Sequence, residues 1–176
     1  LSRICRMSCT APWGTTVSDG SSVTAYSTPT VPSGQTCLSQ SRSCADGTLS
    51  GTYTNQSCTV TAASSPSGSS PVTTTSAVTP RCSVSGYACD QDKYSTPLTV
   101  DLFNASTPVA STIANLTSQS CGGSTNRGYT FDIPSDYWDG VQRSMTVLAY
   151  GINASGVATP PNQTWTVSVL CPIVPP

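Results

Sequence analysis

The sequence is poor in charged residues and contains no histidine, no glutamate and a single lysine. Charged residues fill only 9% of its 176 positions, and the formal net charge is −1. Without histidine, neither a Ser-His-Asp nor a Cys-His catalytic arrangement can form, and a Cys/His zinc site is excluded. A nearly neutral chain also has no basic surface for nucleic acid or anionic lipid. No apolar run approaches the roughly 20 residues that a membrane span requires.

Strong helix-forming residues are scarce as well, whereas serine and threonine together fill roughly a third of the positions. Several segments in the second half alternate apolar and polar residues, as strands with one buried face do. Turn-forming stretches such as "DIPSDYWDG" and "CGGSTNRG" separate these segments. The pattern predicts an immunoglobulin-like β-sandwich. Its alternating apolar positions are Val100 and Leu102; Tyr129, Phe131 and Ile133; Met145, Val147 and Ala149; and Trp165, Val167 and Val169.

Nine cysteines are spread along the chain without the paired CxxC spacing of a zinc site. Dispersed cysteines in a chain of low charge predict disulfides that form in an oxidising compartment. We therefore expect an extracellular or cell-surface protein.

Residues 61–80, "TAASSPSGSSPVTTTSAVTP", separate five cysteines from four and contain no aromatic or charged residue. So little apolar surface cannot offset the entropy of ordering, which predicts a linker. An edge strand through "PVTTTSAV" is the alternative. The sequence thus predicts an all-β protein of two disulfide-stapled β modules: a small Cys-rich module (1–60), the linker (61–80) and the immunoglobulin-like β-sandwich (81–176).

Four motifs occur in order in the second module. They are "SGYACDQDKYSTPLTVDLF", the "CGG" that opens "CGGSTNRGYTFDIP", the aromatic strand of that segment, which ends in Ile-Pro, and the Asp-Gly turn of "DGVQRSMTVLAYGIN". Over residues 82–170 the chain resembles a repeat of secreted bacterial proteins that opens with Gly-Trp-Ala-Cys-Asp. The resemblance implies a β-sandwich found beside carbohydrate-active or surface-anchoring domains, and it does not imply catalysis. Tyr87 stands where the repeat has tryptophan.

The first module contains "CTAPWG", an Ala-Tyr pair and an Arg-x-Cys-x-x-Gly-x-Leu segment. Over residues 9–60 these landmarks resemble a small Cys-rich unit of bacterial surface proteins. The resemblance implies no activity for this module.

Strand positions suggest the cysteine pairs. Cys82 opens the first strand of the second module and Cys171 follows its last strand, so a bond between them would tie the module's ends together. In the first module "ADGT" (45–48) is a hairpin turn, across which paired positions sum to about 93 to 95. The predicted disulfides are Cys82–Cys171, Cys89–Cys121, Cys37–Cys58 and Cys9–Cys44.

Since nine is odd, one cysteine remains, and Cys5 is the best candidate. It lies between Arg3 and Arg6, whose charges favour a reactive thiolate. We expect Cys5 to form an intermolecular bridge. A bond to a segment absent from this chain, or a free thiol, is the alternative.

Aspartates form two acidic turns, one with Asp90 and Asp92 and one spanning 132–139. Calcium needs six to eight oxygen ligands, and the full D-x-D-x-D-G loop is missing. Aspartate side chains commonly cap turns, so a structural turn is favoured over a calcium site, and Lys93 would screen the two carboxylates. No cofactor or metal is predicted.

Aromatic side chains on a β surface could stack on sugars, and Tyr137 and Trp138 lie in a predicted loop. For this pair, packing over the end of the sandwich is favoured over contact with a sugar or a partner. Trp165 alternates with valines and is predicted to be core. Further aromatic candidates are Trp13, Tyr87 and Tyr94.

Five of the six asparagines begin an Asn-x-Ser/Thr triplet. Such triplets are acceptors for N-glycosylation, but Asn is also a frequent turn residue. The turn interpretation is favoured. The five residues are Asn55, Asn104, Asn115, Asn153 and Asn162.

These features favour a non-enzymatic, extracellular structural or adhesive surface protein, such as a stalk segment, fibre subunit or adhesin module. Its partners would be other protein subunits or surface glycans, and it could form a homo-oligomer or filament. The alternative is a carbohydrate-binding module of a larger secreted enzyme.

Overall fold

Short β-strands carry almost all of the regular structure in the computed structural model, which describes residues 6–76, 81–121 and 124–173. The chain divides into two units, Leu1–Ala62 and Ala63–Pro176. The all-β, disulfide-stapled fold predicted from the sequence is confirmed. No helix in the described residues is long and apolar enough to cross a membrane.

The first unit consists of short strands and turns. A central three-stranded sheet has the order β3-β5-β6, β1 pairs with β2, and β4 pairs in parallel with β7. The seven strands are β1 (Cys9–Thr10), β2 (Thr16–Val17), β3 (Ser22–Tyr26), β4 (Thr30–Val31), β5 (Ser39–Ala45), β6 (Thr48–Leu49) and β7 (Thr59–Val60).

The apolar core of this unit is very small, so the unit depends on disulfides for stability. One buried cluster is formed by Cys9, Ala11, Val17 and Cys44, and Trp13 packs against it. Cys9 and Cys44 are themselves disulfide-bonded. Small domains that cannot build a large core commonly depend on such bonds.

Buried Arg42, in the Arg-x-Cys segment, also stabilises this unit. Its Nε donates to the carbonyl oxygen of Ser50 at 2.6 Å and its Nη1 donates to that of Tyr53, also at 2.6 Å. The guanidinium thus fixes the backbone that follows β6.

The "ADGT" turn is a hairpin turn, with positive φ at Asp46 and Gly47, as the two-residue turns of hairpins often require. Cys37 and Cys58 form a disulfide, as the sequence predicts. The hairpin at "ADGT" does not, however, place the two cysteines opposite each other as predicted. The β5–β6 ladder has only two residue pairs, and β5 instead pairs along most of its length with β3.

The second unit contains nine strands and one 3-10 turn. They are β8 (Ser67–Gly68), β9 (Val72–Ser76), β10 (Arg81–Cys89), β11 (Thr99–Asn104), β12 (Thr107–Ile113), β13 (Leu116–Cys121), β14 (Ser124–Asp132), the 3-10 turn Ser135–Tyr137, β15 (Gln142–Ala149) and β16 (Gln163–Leu170).

These strands form two sheets. One has the order β13-β14-β10, with β9 and β8 both paired to β10, and the other has the order β12-β11-β15-β16. All pairs are antiparallel. With β9 as the first strand, this is the strand order of an immunoglobulin-like sandwich.

The alternating apolar positions predicted from the sequence fill the sandwich core. Residues from both sheets share one buried cluster, and Trp165 packs against it half-buried. This cluster includes Val84, Val100, Leu102, Tyr129, Phe131, Ile133, Met145, Val147, Ala149, Val167 and Val169.

The linker predicted for 61–80 must be corrected, because strands β8 and β9 lie within it. Val72 pairs with Ser85 and Ser76 pairs with Arg81 along β10. The edge-strand alternative therefore describes residues 72–76. The unit begins at Ala63 rather than at 81.

The remaining two disulfides staple the sandwich. Cys82 in β10 is bonded to Cys171 just after β16, and Cys89 is bonded to Cys121 at the end of β13. Closing the longer of these loops, with a sequence separation of 89, should contribute on the order of 4 kcal/mol through chain entropy. All four predicted pairs are thus present, and Cys5 lies outside the described residues.

Candidate functional site

Asp90 follows β10 and is a fully buried carboxylate that organises two loops. Its Oδ1 accepts a hydrogen bond from the backbone N–H of Asp92 at 3.0 Å, and its Oδ2 accepts one from that of Ile152, also at 3.0 Å. The first bond closes a local turn and the second joins residues 62 positions apart. Both carboxylate oxygens are therefore used to satisfy backbone donors.

Asp92 and Lys93 extend this bracing. Asp92 accepts hydrogen bonds from the backbone N–H and the hydroxyl of Ser64, at 2.7 and 3.1 Å. Lys93 Nζ donates to the carbonyl oxygen of Ser155 at 3.3 Å. The lysine thus binds a neighbouring loop. The sequence analysis had instead predicted that it screens the two aspartates.

Buried Arg127 holds the same stretch from another side. Its Nε donates to the carbonyl oxygen of Tyr94 at 2.8 Å. Together these contacts give Asp90 and Asp92 a structural role in the turn that follows β10. In the described residues, no group of three or more Cys or Asp side chains is arranged to hold a metal ion.

The second acidic turn is closed by an ion pair. Asp139 accepts two hydrogen bonds from Arg143, at 2.8 and 2.6 Å, and one from the backbone N–H of Val141 at 3.0 Å. The hydrogen bonds from Arg143, followed by that from Val141, hold the pKa of Asp139 well below its ordinary range. The guanidinium of Arg143 also lies 5.2 Å from the centre of the Tyr137 ring.

Tyr137 and Trp138 are half-buried and pack against the sandwich core. The indole Nε1 of Trp138 donates to the carbonyl oxygen of Ile133 at 2.9 Å. This arrangement matches the packing interpretation that the sequence favours for the pair, and the indole N–H is bound to the protein's own backbone.

The asparagines of the five triplets differ in their surroundings. Asn55 Nδ2 donates to the carbonyl oxygens of Tyr26 and Ser27, Asn153 Oδ1 accepts from backbone N–H groups within its own loop, and Asn162 Oδ1 accepts from the N–H of Gly151. These three side chains act as turn residues. Asn104 lies at the β11–β12 hairpin, and Asn115 is exposed between β12 and β13.

A groove crosses the outer face of the β13-β14-β10 sheet. Because Val84 and Ala88 face the core, the alternating residues Ser85 and Tyr87 face outward. Tyr87 pairs with Gly128, and Gly128 pairs with Leu116. Directly opposite residues project on the same side of a sheet. Tyr87 and Leu116 therefore flank a position that has no side chain.

The neighbouring row continues the groove with smaller residues. Ser85 pairs with Thr130 on one side and with Val72 on the other. The groove has a volume of about 420 Å³, within the roughly 300–1,000 Å³ range of ligand sites. Its lining contains hydroxyl, aromatic, aliphatic and glycine residues and no charged side chain: Ser69, Ser70, Val72, Ser85, Gly86, Tyr87, Leu116, Thr117, Gly128, Tyr129 and Thr130.

Behind the groove, Tyr129 projects into the sandwich core and its hydroxyl is buried. It pairs with Gly86, and a Cβ atom at residue 86 would lie 2.5 Å from the Tyr129 Oη. Glycine is therefore required opposite the tyrosine. The Oη has no hydrogen-bond partner in the structure, and burial raises the pKa of the Tyr129 hydroxyl.

Sequence reasoning named Tyr87 among the aromatic candidates but did not find the groove. The groove depends on the register that places Gly128 between Tyr87 and Leu116. The alternation in "RCSVSGYAC" indicates that Tyr87 faces outward. No sequence pattern indicates which strands pair with each other.

The comparisons with known proteins gave no match: no family model, curated protein or solved structure resembles this chain closely enough to indicate a relationship.

Proposed function

We propose that this chain is a non-enzymatic, extracellular structural or adhesive surface protein, serving as a stalk segment, fibre subunit or adhesin module. The observation that carries the proposal is the use of its few ionisable side chains. Asp90, Asp92 and the Asp139–Arg143 pair brace loops by bonding to backbone groups or to each other. Groups employed in this way hold a fold rigid and are not left facing a cleft, where catalytic acids and bases would be needed.

The disulfides support the location. Four bonds staple two β units, and such bonds form and persist in oxidising environments. An extracellular position on a cell surface, and the bacterial setting suggested by the motif resemblance, agree with this chemistry. The partners we propose are other protein subunits or surface glycans, with self-assembly into an oligomer or filament.

Display of the full chain on a non-adherent bacterium tests the proposal. Cells that carry the chain should attach to a coated surface or to one another more than cells with an empty display vector. Turnover of glycoside, ester or peptide substrates by the purified chain would contradict the non-enzymatic part. Equal attachment of the two cell types would contradict the adhesive part.

A carbohydrate-binding module of a larger secreted enzyme is the second candidate, and the uncharged groove of the sandwich favours it. Trp138 is a poor probe for this function because its indole N–H is bound to Ile133. Fusion of residues 63–176 to a glycosidase tests whether this unit can direct an enzyme to a polysaccharide. Faster hydrolysis of an insoluble polysaccharide would support the module, and an unchanged rate would contradict it.

A further inference from the structure

We propose that the groove across the outer face of β10 and β14 is a binding site for a neutral glycan, with a sugar ring against the face of Tyr87. The inference deepens the adhesive form of the proposed function and rests on it. It assigns the ligand class and the side chains that select it.

The absence of charge in the lining determines the first part of this assignment. Every polar side chain that lines the groove is a hydroxyl. Hydroxyl groups both donate and accept hydrogen bonds, so they match the hydroxyls of a sugar. An acidic glycan or a nucleic acid would require basic side chains to balance its charge, and the groove has none.

The shape of the groove favours a ring. Tyr87 stands on one side of Gly128 and Leu116 on the other, and Leu116 is 49% exposed. A sugar ring presents C–H groups on its faces and hydroxyls at its rim. The aromatic and aliphatic walls would contact the faces, while Ser85 and Thr130 in the adjoining row would meet the rim.

The pairing of the strands argues against a peptide that adds as an extra strand. Such a peptide needs unpaired backbone donors and acceptors at a sheet edge. At Ser85 the strand β10 is already paired to Thr130 of β14 and to Val72 of β9. The groove floor is therefore a closed ladder, and recognition must come from side chains.

The test is an amide NMR titration of the full chain with neutral hexasaccharides of glucose, xylose, mannose and N-acetylglucosamine, and with a hexasaccharide of galacturonic acid. At least one neutral probe should bind and shift the amides of Tyr87, Gly128 and Thr130. Tyr87→Leu, which removes the flat ring, and Thr130→Arg, which places bulk in the groove, should each weaken binding about tenfold or more. Tyr94→Ala lies outside the groove and serves as the matched control, with binding unchanged.

Three results would overturn the proposal: no neutral probe binding with a Kd below about 10 mM, shifts centred away from the groove, or tighter binding of the acidic probe. The display assay separates failure of this inference from failure of the proposed function. If the groove assignment alone is wrong, cells that display the Tyr87→Leu chain still attach as the wild type does. If the adhesive function is wrong, the wild-type chain promotes no attachment.

Discussion

At the scale of single residues, several of the scarce ionisable groups of this protein act as cross-links between loops. Asp90 binds two backbone N–H groups and Arg42 binds two backbone carbonyls, and both residues are buried. Hydrogen bonds to charged groups are roughly twice as strong as neutral ones. A chain with few charges can therefore fix several irregular loops with a handful of side chains.

Asp90→Ala should destabilise the second unit by about 2–4 kcal/mol, because one buried and one partly buried N–H group lose their acceptor. Urea unfolding followed by tryptophan fluorescence measures the change. Asp136→Ala, at an exposed position in the 3-10 turn, is the control and should change stability by less than about 0.5 kcal/mol.

Calcium distinguishes the structural role of Asp90 from a metal role. Neither added calcium nor a chelator should shift the unfolding midpoint of the wild type. A calcium-dependent rise in stability that Asp90→Ala abolishes would contradict the structural account.

The Asp139–Arg143 pair should make a pH-dependent contribution. The pKa of Asp139 is lower in the folded protein than in the unfolded chain. The resulting contribution to folding stability is therefore complete at pH values above the unfolded-state pKa of about 4. That contribution is lost as the pH falls through the lower, folded-state pKa.

The difference in stability between the wild type and Asp139→Asn should accordingly be constant near neutral pH and close in acid. The difference in stability between the wild type and Arg143→Gln should depend on pH in the same way. Thermal melts between neutral pH and pH 2 make the comparison, and a gap that widens in acid would show the opposite sign of coupling.

At the scale of elements, the edge strand β9 shows how a low-complexity segment can be ordered. Its residues Val72–Ser76 bury little apolar surface, yet five residue pairs join them to β10. Thr73 Oγ1 also donates to the carbonyl oxygen of Ser168 in β16, at 2.7 Å. Backbone pairing and one side-chain contact to the second sheet thus order a strand whose composition is that of a linker.

A fragment that begins at residue 63 should therefore be more stable than one that begins at residue 81. The shorter fragment lacks β8 and β9 and exposes one edge of β10. Thermal unfolding of fragments 63–176 and 81–176, both with their disulfides intact, measures the difference. Equal midpoints would return residues 63–80 to the role of a linker.

Sequence patterns predict the sandwich well where burial is one-sided. In β14 and β15, Phe131 and Val147 occupy the core positions that their alternation predicts. The same reasoning fails for β9, because the partner that satisfies its backbone lies elsewhere in the chain. It also misses the groove, since no local pattern shows that Gly128 lies between Tyr87 and Leu116.

At the scale of the whole molecule, four disulfides account for eight of the nine cysteines. Each bond joins residues of the same unit. Cys5, which lies outside the described residues, is the remaining cysteine in the sequence. We predict that it forms a covalent link between chains.

Non-reducing gels of native material should therefore show a band of higher mass that collapses on reduction. Cys5→Ser should remove this band, whereas a surface substitution such as Asp136→Ala should not. A band that persists in Cys5→Ser, or the absence of any such band, would refute the intermolecular bridge.

Immunogold electron microscopy of intact cells that carry the protein is the most direct test of the surface role. The account predicts dense label on the exterior of unpermeabilised cells, arranged in a layer, stalk or filament. Label that appears only after permeabilisation, confined to the cell interior, would contradict it.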